Sequence, residues 1–320
     1  MSANYWESTQ RRHWQFTKEQ LESTRQKLEE ENAELVRMFP LPQIRHLFIY
    51  FNQQIIKLSK KISVRQQCIA TAQVYLKRFY TKVEIRRTNP YLVVTTAVYL
   101  ACKMEEAPQH IRMIVTEARA LWSEFISLDT SKVGECEFFL ISEMSSQLLI
   151  HQPYRTLTSL RSELSMTDED ATLAKSVIND SYMTDLPLTT SPHIIGLVAI
   201  LLALVLRPSP GIPGQNNGAA VGLAAAQAAL SQAQARINFA AGNAGSIPTS
   251  SEIPKDKPQD TRISRLQQFA SWLSDSRVDI TAMVDATQEI ISFYECHEHY
   301  QDKLTKEQIN RFVKARGLDK

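Results

Sequence analysis

Glycine is scarce in this chain of 320 residues. Nine are present, less than half the usual share of about 7%, and six of them fall between Gly211 and Gly245. The remainder holds only Gly134, Gly196 and Gly317. Phosphate-cradling loops need glycine where the backbone takes positive φ or approaches a ligand closely. The shortage argues against a doubly wound nucleotide enzyme and against extensive β-structure. A strong charge of either sign is also missing: Lys and Arg number 36, Asp and Glu 34, which leaves +2 with histidine neutral. That balance argues against a strongly electrostatic binder of nucleic acid. The four cysteines, Cys68, Cys102, Cys136 and Cys296, form no C-x-x-C pair and sit in apolar-periodic stretches. They read as small buried hydrophobes of a reducing compartment. No long apolar run exists. Ile194 to Leu206 carries no charge over thirteen residues, short of the roughly 20 that a membrane span needs, so it predicts a buried core helix. The amino-terminal residues lack a basic segment followed by an apolar one. A cytoplasmic or nuclear protein is expected, with no membrane association.

Catalytic signatures are missing as well. There is no G-x-S-x-G, no G-x-x-x-x-G-K-[ST] and no H-E-x-x-H. The one histidine cluster, Cys296-His297-Glu298-His299, places Cys296 and His299 one helical turn apart, and two ligands do not close a zinc site. No catalytic residue, no metal and no cofactor is expected. Lys57, Lys60, Lys61 and Arg65 form one local basic group, and Arg86 with Arg87 another. Aromatics are not interleaved with them, so they read as solvated faces or protein contacts rather than as a nucleic-acid surface.

What the chain does contain is helix signals. Thr17-Lys-Glu-Gln20 predicts a capping box that starts a charged helix running to about Arg37, and Ser63-Val-Arg-Gln66 another, starting a helix to about Tyr80. Thr167 to Asp170 and Thr305 to Gln308 repeat the pattern, while Asn89-Pro90 and Ser191-Pro192 place a capping residue before a proline at the first helical position. Cys68, Ala72, Leu76 and Phe79 share one face at 3.6-residue spacing; so do Val133, Cys136, Leu140, Met144 and Leu148. About five helices are predicted from Leu41 to Ile150. A second set follows at about 154–163, 168–183, 192–206, 262–274 and 279–302, with a tail helix at 306–315. The stretch from Pro208 to Ser251 has one charged residue, Arg236, and one aromatic, Phe239; residues 207–261 are expected to be a disordered insertion. The expected fold is all-α: an arm and helix over 1–40, one helical domain over 41–151, and a second of similar build over 152–316 that contains the insertion.

Two charges stand inside apolar helices. Lys103 ends the run Thr95 to Cys102, and Glu137 lies between Cys136 and Phe138-Phe139-Leu140. Such charges are costly unless paired or at a rim. They either emerge at the surface or form a pair that caps backbone groups of a partner. Tyr5, Trp6, Trp14 and Phe16 precede any core helix; aromatics placed there either tuck onto the protein's own core or anchor a partner.

The strings Ser63 to Tyr80, Asn89-Pro90 and Tyr99-Leu-Ala-Cys-Lys-Met-Glu-Glu106 resemble a cyclin box. Ala3-Asn-Tyr-Trp-Glu-Ser-Thr9, Glu135-Cys-Glu-Phe138, His151-Gln-Pro-Tyr-Arg155 and Val177 to Leu186 are similar to the cyclin C family, the cyclins of the Mediator-associated kinase. The strings occur in the family's order and cover most of the chain outside 207–261. The resemblance implies two tandem five-helix cyclin boxes and a non-catalytic subunit that activates a cyclin-dependent kinase of the Mediator kinase module. The implied setting is regulation of RNA polymerase II transcription in the nucleus, alongside other Mediator subunits and the polymerase holoenzyme, with no direct contact to nucleic acid. It also implies that Lys103 and Glu137 bind the kinase's regulatory helix and that Tyr5, Trp6 and Trp14 make a second, kinase-selective contact. An elongation-type (T/K/L) transcriptional cyclin and a helical-box adaptor resembling transcription factor IIB are the alternatives. Cell-cycle cyclins pair an Arg of the first box helix with an Asp of the second. Here the first helix reads Ile44 to Phe51 without that string and the Asp position is Lys77, which argues against a cell-cycle role and against docking of short basic-hydrophobic substrate peptides there.

Overall fold

The structure, a computed structural model, describes residues 4–124, 129–206 and 258–319. Among these residues the chain forms helices and no strand. After a 3-10 turn at Tyr5–Glu7 come α1 (Thr9–His13), α2 (Lys18–Glu31), α3 (Ala33–Met38), α4 (Ile44–Lys61) and α5 (Gln66–Phe79). A second 3-10 turn at Ile85–Arg87 precedes α6 (Pro90–Met104), α7 (Ile111–Trp122) and α8 (Thr130–Glu143). Then follow α9 (Tyr154–Leu160), α10 (Asp168–Ser181), α11 (Leu186–Thr189) and α12 (Pro192–Leu206). The last three are α13 (Pro258–Asp275), α14 (Ile280–Glu298) and α15 (Asp302–Ala315). The chain divides into two compact units. One comprises Met1–Gln152, Ser181–Ser191 and Glu289–Lys320; the other comprises Pro153–Asp180 and Pro192–Gln288.

The first unit is built around α5 and α6. In α5 every residue from Cys68 to Phe79 is buried, including Lys77 and Arg78, so the helix is enclosed rather than amphipathic. Helix α6 starts as the sequence predicts: the Asn89 side chain accepts from the Tyr91 N–H at 3.0 Å and Pro90 takes the first position. Its buried Thr95 and Thr96 hydroxyls donate to the Tyr91 and Leu92 carbonyls at 2.7 and 2.8 Å, which satisfies them inside the core. Helix α15 adds Ile309, Phe312 and Val313 to the same core, and Asn310 accepts from the Tyr91 hydroxyl at 2.6 Å.

Several sequence expectations are corrected here. The capping box at Thr17 and Gln20 forms, but the helix breaks at Asn32, whose amide donates back to the Leu28 carbonyl at 2.7 Å. Ser63 does not cap α5. It is left-handed, with φ 52°, and closes α4 instead, while Arg65 occupies the N-cap position without a side-chain bond. Helix α15 begins at Asp302, so Thr305 lies inside it and donates to the Gln301 carbonyl. Arg86 is no part of a basic patch. It is buried and ion-paired with Glu84, and Arg87 donates to Asn32 at 2.6 Å. The insertion expected at 207–261 lies outside the described residues up to 257, and a helix already runs from Pro258.

With glycine so rare, other residues take the left-handed helix ends. Ser63, Glu106, Ser145, Ser146 and Ser165 all have φ between 48° and 59°. At Glu106 the Ala107 N–H reaches the Cys102 carbonyl at 2.9 Å, the bond that finishes α6 just past Lys103.

In the second unit α12 is buried from Ile194 to Val205, the enclosed helix that its thirteen uncharged residues predict. Gly196 allows close approach to α9: a Cβ there would lie 2.9 Å from the Thr156 Cβ. Thr167 and Asp170 cap α10 reciprocally at 3.1 and 3.2 Å, and Asp170 also accepts from Arg265 at 2.8 Å. Among the described residues no helix is long and apolar enough to cross a membrane.

Candidate partner-binding surface

The structure brings Lys103 and Glu137 together. Lys103 lies in the last turn of α6 and Glu137 in the middle of α8; Nζ donates to Oε1 at 2.7 Å. Each position follows from its helix. The α6 dipole favours a cation at its C-terminal end. On α8 the core face is Val133, Cys136 and Leu140, and Glu137 rides at its edge, one position past Cys136. The Lys103 side chain is 43% exposed and that of Glu137 12%. The ammonium also lies 5.0 Å from the Tyr99 ring centroid, a cation–π contact that helps to hold the stem. Lys103 therefore emerges at the surface and is also paired with Glu137.

The pair keeps unspent hydrogen-bonding capacity. An ammonium has three N–H donors, and a carboxylate has four lone-pair sites. One of each is used between them. Donor and acceptor side by side, at a rim, suit the backbone carbonyls and amides at the end of a partner's helix or loop. The same two helices also expose apolar side chains: Phe138 is 75% exposed, Phe139 40% and Met104 36%. Phe139 meets Phe79 edge-on at 5.2 Å, so it is anchored from below while its outer edge stays open. Phe138 and Phe139 were absent from the residues picked out by sequence. The signal was available, because position 138 falls opposite the 133, 136, 140 stripe on a helical wheel.

The arm divides its aromatics. Trp14 is buried in the first unit's core. Its Nε1 donates to Gln147 Oε1 at 2.7 Å, and the Arg78 guanidinium lies 4.9 Å from its ring. Arg78 itself donates to the Gln147 carbonyl at 2.7 Å, and burial pulls its pKa down to about 9. Gln10 pairs with the His151 backbone, accepting its N–H at 2.6 Å and donating to its carbonyl at 3.4 Å. Tyr5 donates to Gln15 at 2.6 Å and meets His151 edge-on; burial raises its hydroxyl to about 12. These contacts tie the arm to the segment that follows α8. Trp6 differs. Its backbone N–H is capped by Asn4 at 3.1 Å, and the residue is 59% exposed.

Among the described residues no three His, Cys, Asp or Glu side chains converge to hold a metal ion. Buried Lys77 lies 3.8 Å from the centroid of the Phe48 ring, where burial brings it down to about 7.

The family model described as the cyclin N-terminal domain matches residues 16–149. Full-length relatives are described as RNA polymerase II holoenzyme cyclin-like subunits. The protein from Gibberella moniliformis is 68% identical over all of both chains, that from Neurospora crassa 59% over all of both chains, and that from Aspergillus clavatus 52% over all of both chains. Among solved structures, a chain in the CAK complex of Chaetomium thermophilum matches with a TM-score of 0.57 at 18% identity, covering 97% of this chain and 88% of that one. A chain in the yeast TFIIK complex matches with a TM-score of 0.52 at 22% identity, covering 62% of this chain and 85% of that one. At these identities the two structural likenesses speak to the fold.

Proposed function

The chain belongs to the cyclin family, among the RNA polymerase II holoenzyme cyclin-like subunits, and we propose from that membership that it is the regulatory, non-catalytic subunit of a cyclin-dependent kinase in the Mediator kinase module. In this reading α4 to α8 form the first box, within 41–151, and residues 152–316 form the second. It works in the nucleus, alongside other Mediator subunits and the RNA polymerase II holoenzyme, and its kinase phosphorylates the polymerase's C-terminal domain.

The observation that carries the reading is the Lys103–Glu137 pair at 2.7 Å, on helices that also expose Phe138, Phe139 and Met104. In this role Lys103 donates to carbonyls of the kinase's regulatory helix region and Glu137 accepts from its amides. The exposed phenylalanines of α8 add apolar contact. Docking holds that helix where the kinase's own lysine–glutamate pair forms. Tyr5 and Trp6 make a second contact that selects the kinase, and Trp14 serves it by fastening the arm.

The test is affinity purification from nuclear extract with the intact chain and with the Lys103→Ala/Glu137→Ala double variant. The intact chain is expected to recover a cyclin-dependent kinase with Mediator subunits. The double variant, with native circular dichroism, is expected to lose the kinase. The double variant is the clean one, since removing Lys103 alone strands the poorly exposed Glu137 carboxylate. Recovery of the kinase at equal yield by both proteins would overturn the assignment of the pair.

A further inference from the structure

Between Glu34 and Glu84 the chain has no acidic residue, and nine lysines and arginines fall in the same stretch. Five of them are accounted for. Arg45 is ion-paired with Glu289 at 2.9 Å, Lys77 and Arg78 are buried, Lys82 lies over the Trp14 ring at 5.8 Å, and Arg37 stands apart on α3. Lys57, Lys60, Lys61 and Arg65 remain. All four are exposed, and none has an ion-pair partner among the described residues.

Their placement concentrates the charge. Lys57, Lys60 and Lys61 stand at i, i+3 and i+4 on the end of α4, so the three share one face. The chain turns through left-handed Ser63, and the Val64 N–H bonds back to the Ser59 carbonyl at 3.1 Å, which sets Arg65 close behind. Lys60 and Lys61 are explicable as cations at the C-terminal end of a helix. Arg65 is not. It precedes α5, whose first turn contains no acid and whose N-cap makes no side-chain bond, and a cation is unfavourable at that end. A local rule broken at the surface, with no ion pair to offset it among the described residues, marks a place where a partner supplies the anion.

We infer that Lys57, Lys60, Lys61 and Arg65 form a docking surface for a multiply phosphorylated protein segment. A phosphoserine brings about −1.5 to −2 charges and three acceptor oxygens, matching a cluster of four cations better than single carboxylates do. A nucleic acid is less suited, because the stretch from Lys57 to Arg65 holds no aromatic residue to stack on a base and the chain as a whole is near neutral. None of the four is bonded to Lys103 or Glu137, which pair with each other, and binding there is a property of the chain without any kinase.

The experiment uses the full chain and fluorescence anisotropy with a labelled Ser/Pro-rich peptide bearing several phosphoserines, beside its unphosphorylated twin and an RNA oligomer of equal charge. The phosphopeptide is expected to bind at least about tenfold tighter than its twin, with affinity falling steeply as salt rises. Lys60→Glu/Arg65→Glu is expected to lose at least about tenfold, and Lys60→Gln/Arg65→Gln, which keeps the surface polar, a smaller part of it; the Gln variant decides if the Glu variant misfolds. Lys103→Ala/Glu137→Ala is expected to bind the phosphopeptide unchanged, which separates failure here from failure of the kinase reading. Equal binding of the two peptides, insensitivity to the substitutions at 60 and 65, or tighter binding of the RNA lost in the same variants would each overturn the inference.

Discussion

Replacing Lys77 by methionine should stabilise the protein, and the gain should shrink as pH rises. Lys77 is wholly buried on α5. Its ammonium faces the Phe48 ring at 3.8 Å, and no hydrogen-bond acceptor reaches it. Burial lowers its pKa from 10.5 to about 7; the nearby Asp185 and Glu289 carboxylates offset part of that, while the Arg25 guanidinium adds to it. The folded value lies below the unfolded one, so between pH 7 and 10.5 the unfolded chain holds this proton more tightly. Stability therefore rises with pH across that window. At about 1.36 kcal/mol per pH unit the full effect is roughly 5 kcal/mol. Methionine fills a similar volume without the charge. Urea denaturation of both proteins at pH 7, 8, 9 and 10 measures the difference. Lys77→Met is expected to be more stable by about 2–4 kcal/mol at pH 7, with the gap narrowing by pH 10. Tyr80, Tyr91 and Cys102, all pushed up by burial, titrate in both proteins and cancel. A gap that does not change with pH, or a less stable variant, would refute the reasoning.

Further outcomes are expected. Trp14→Ala should destabilise by roughly 3 kcal/mol through the cavity it leaves, whereas Trp6→Ala should alter stability by less than about 0.5 kcal/mol and instead lower kinase affinity; denaturation and calorimetric titration separate the two. Gly196→Ala should cost roughly 1–3 kcal/mol, because the new Cβ meets Thr156 Cβ at 2.9 Å and the Pro153 carbonyl at 3.1 Å; a melt unchanged from the parent would contradict that contact. Ser165→Gly should raise stability by about 0.5–1 kcal/mol, since Ser165 sits at φ 48°, and thermal unfolding reads the shift.

Much of the fold follows from local signals. Asn89-Pro90 starts α6 and the uncharged run to Leu206 becomes the enclosed α12, because capping chemistry and apolar content are properties of a few neighbouring residues. Where the expectation failed, the deciding contact was distant in sequence or the backbone chose a less common conformation. Ser63 has the composition of a cap but takes the left-handed end of α4, a place that glycine usually marks. The spacing of Cys68, Ala72, Leu76 and Phe79 predicts one buried face on α5, yet Lys77 and Arg78 are buried too, covered by Phe48 and Trp14 from elements 29 and 64 positions away. The candidate site was half legible. Lys103 and Glu137 stood out as charges in apolar helices, but their meeting at 2.7 Å joins α6 to α8, and no periodicity reports it. The arm's two tryptophans are alike in sequence, and only the Gln147 and Arg78 partners of Trp14 distinguish it from exposed Trp6.

The most direct measurement is the activity of the purified partner kinase on a Ser/Pro peptide, alone, with the intact chain, and with Lys103→Ala/Glu137→Ala. The account predicts that the intact chain raises the rate by orders of magnitude. It predicts that the double variant needs at least about 30-fold more protein to reach half of that rate, the loss of one strong interface contact of about 2 kcal/mol. Activation by the double variant at the same concentration as the intact chain, or a kinase indifferent to the intact chain, would contradict it.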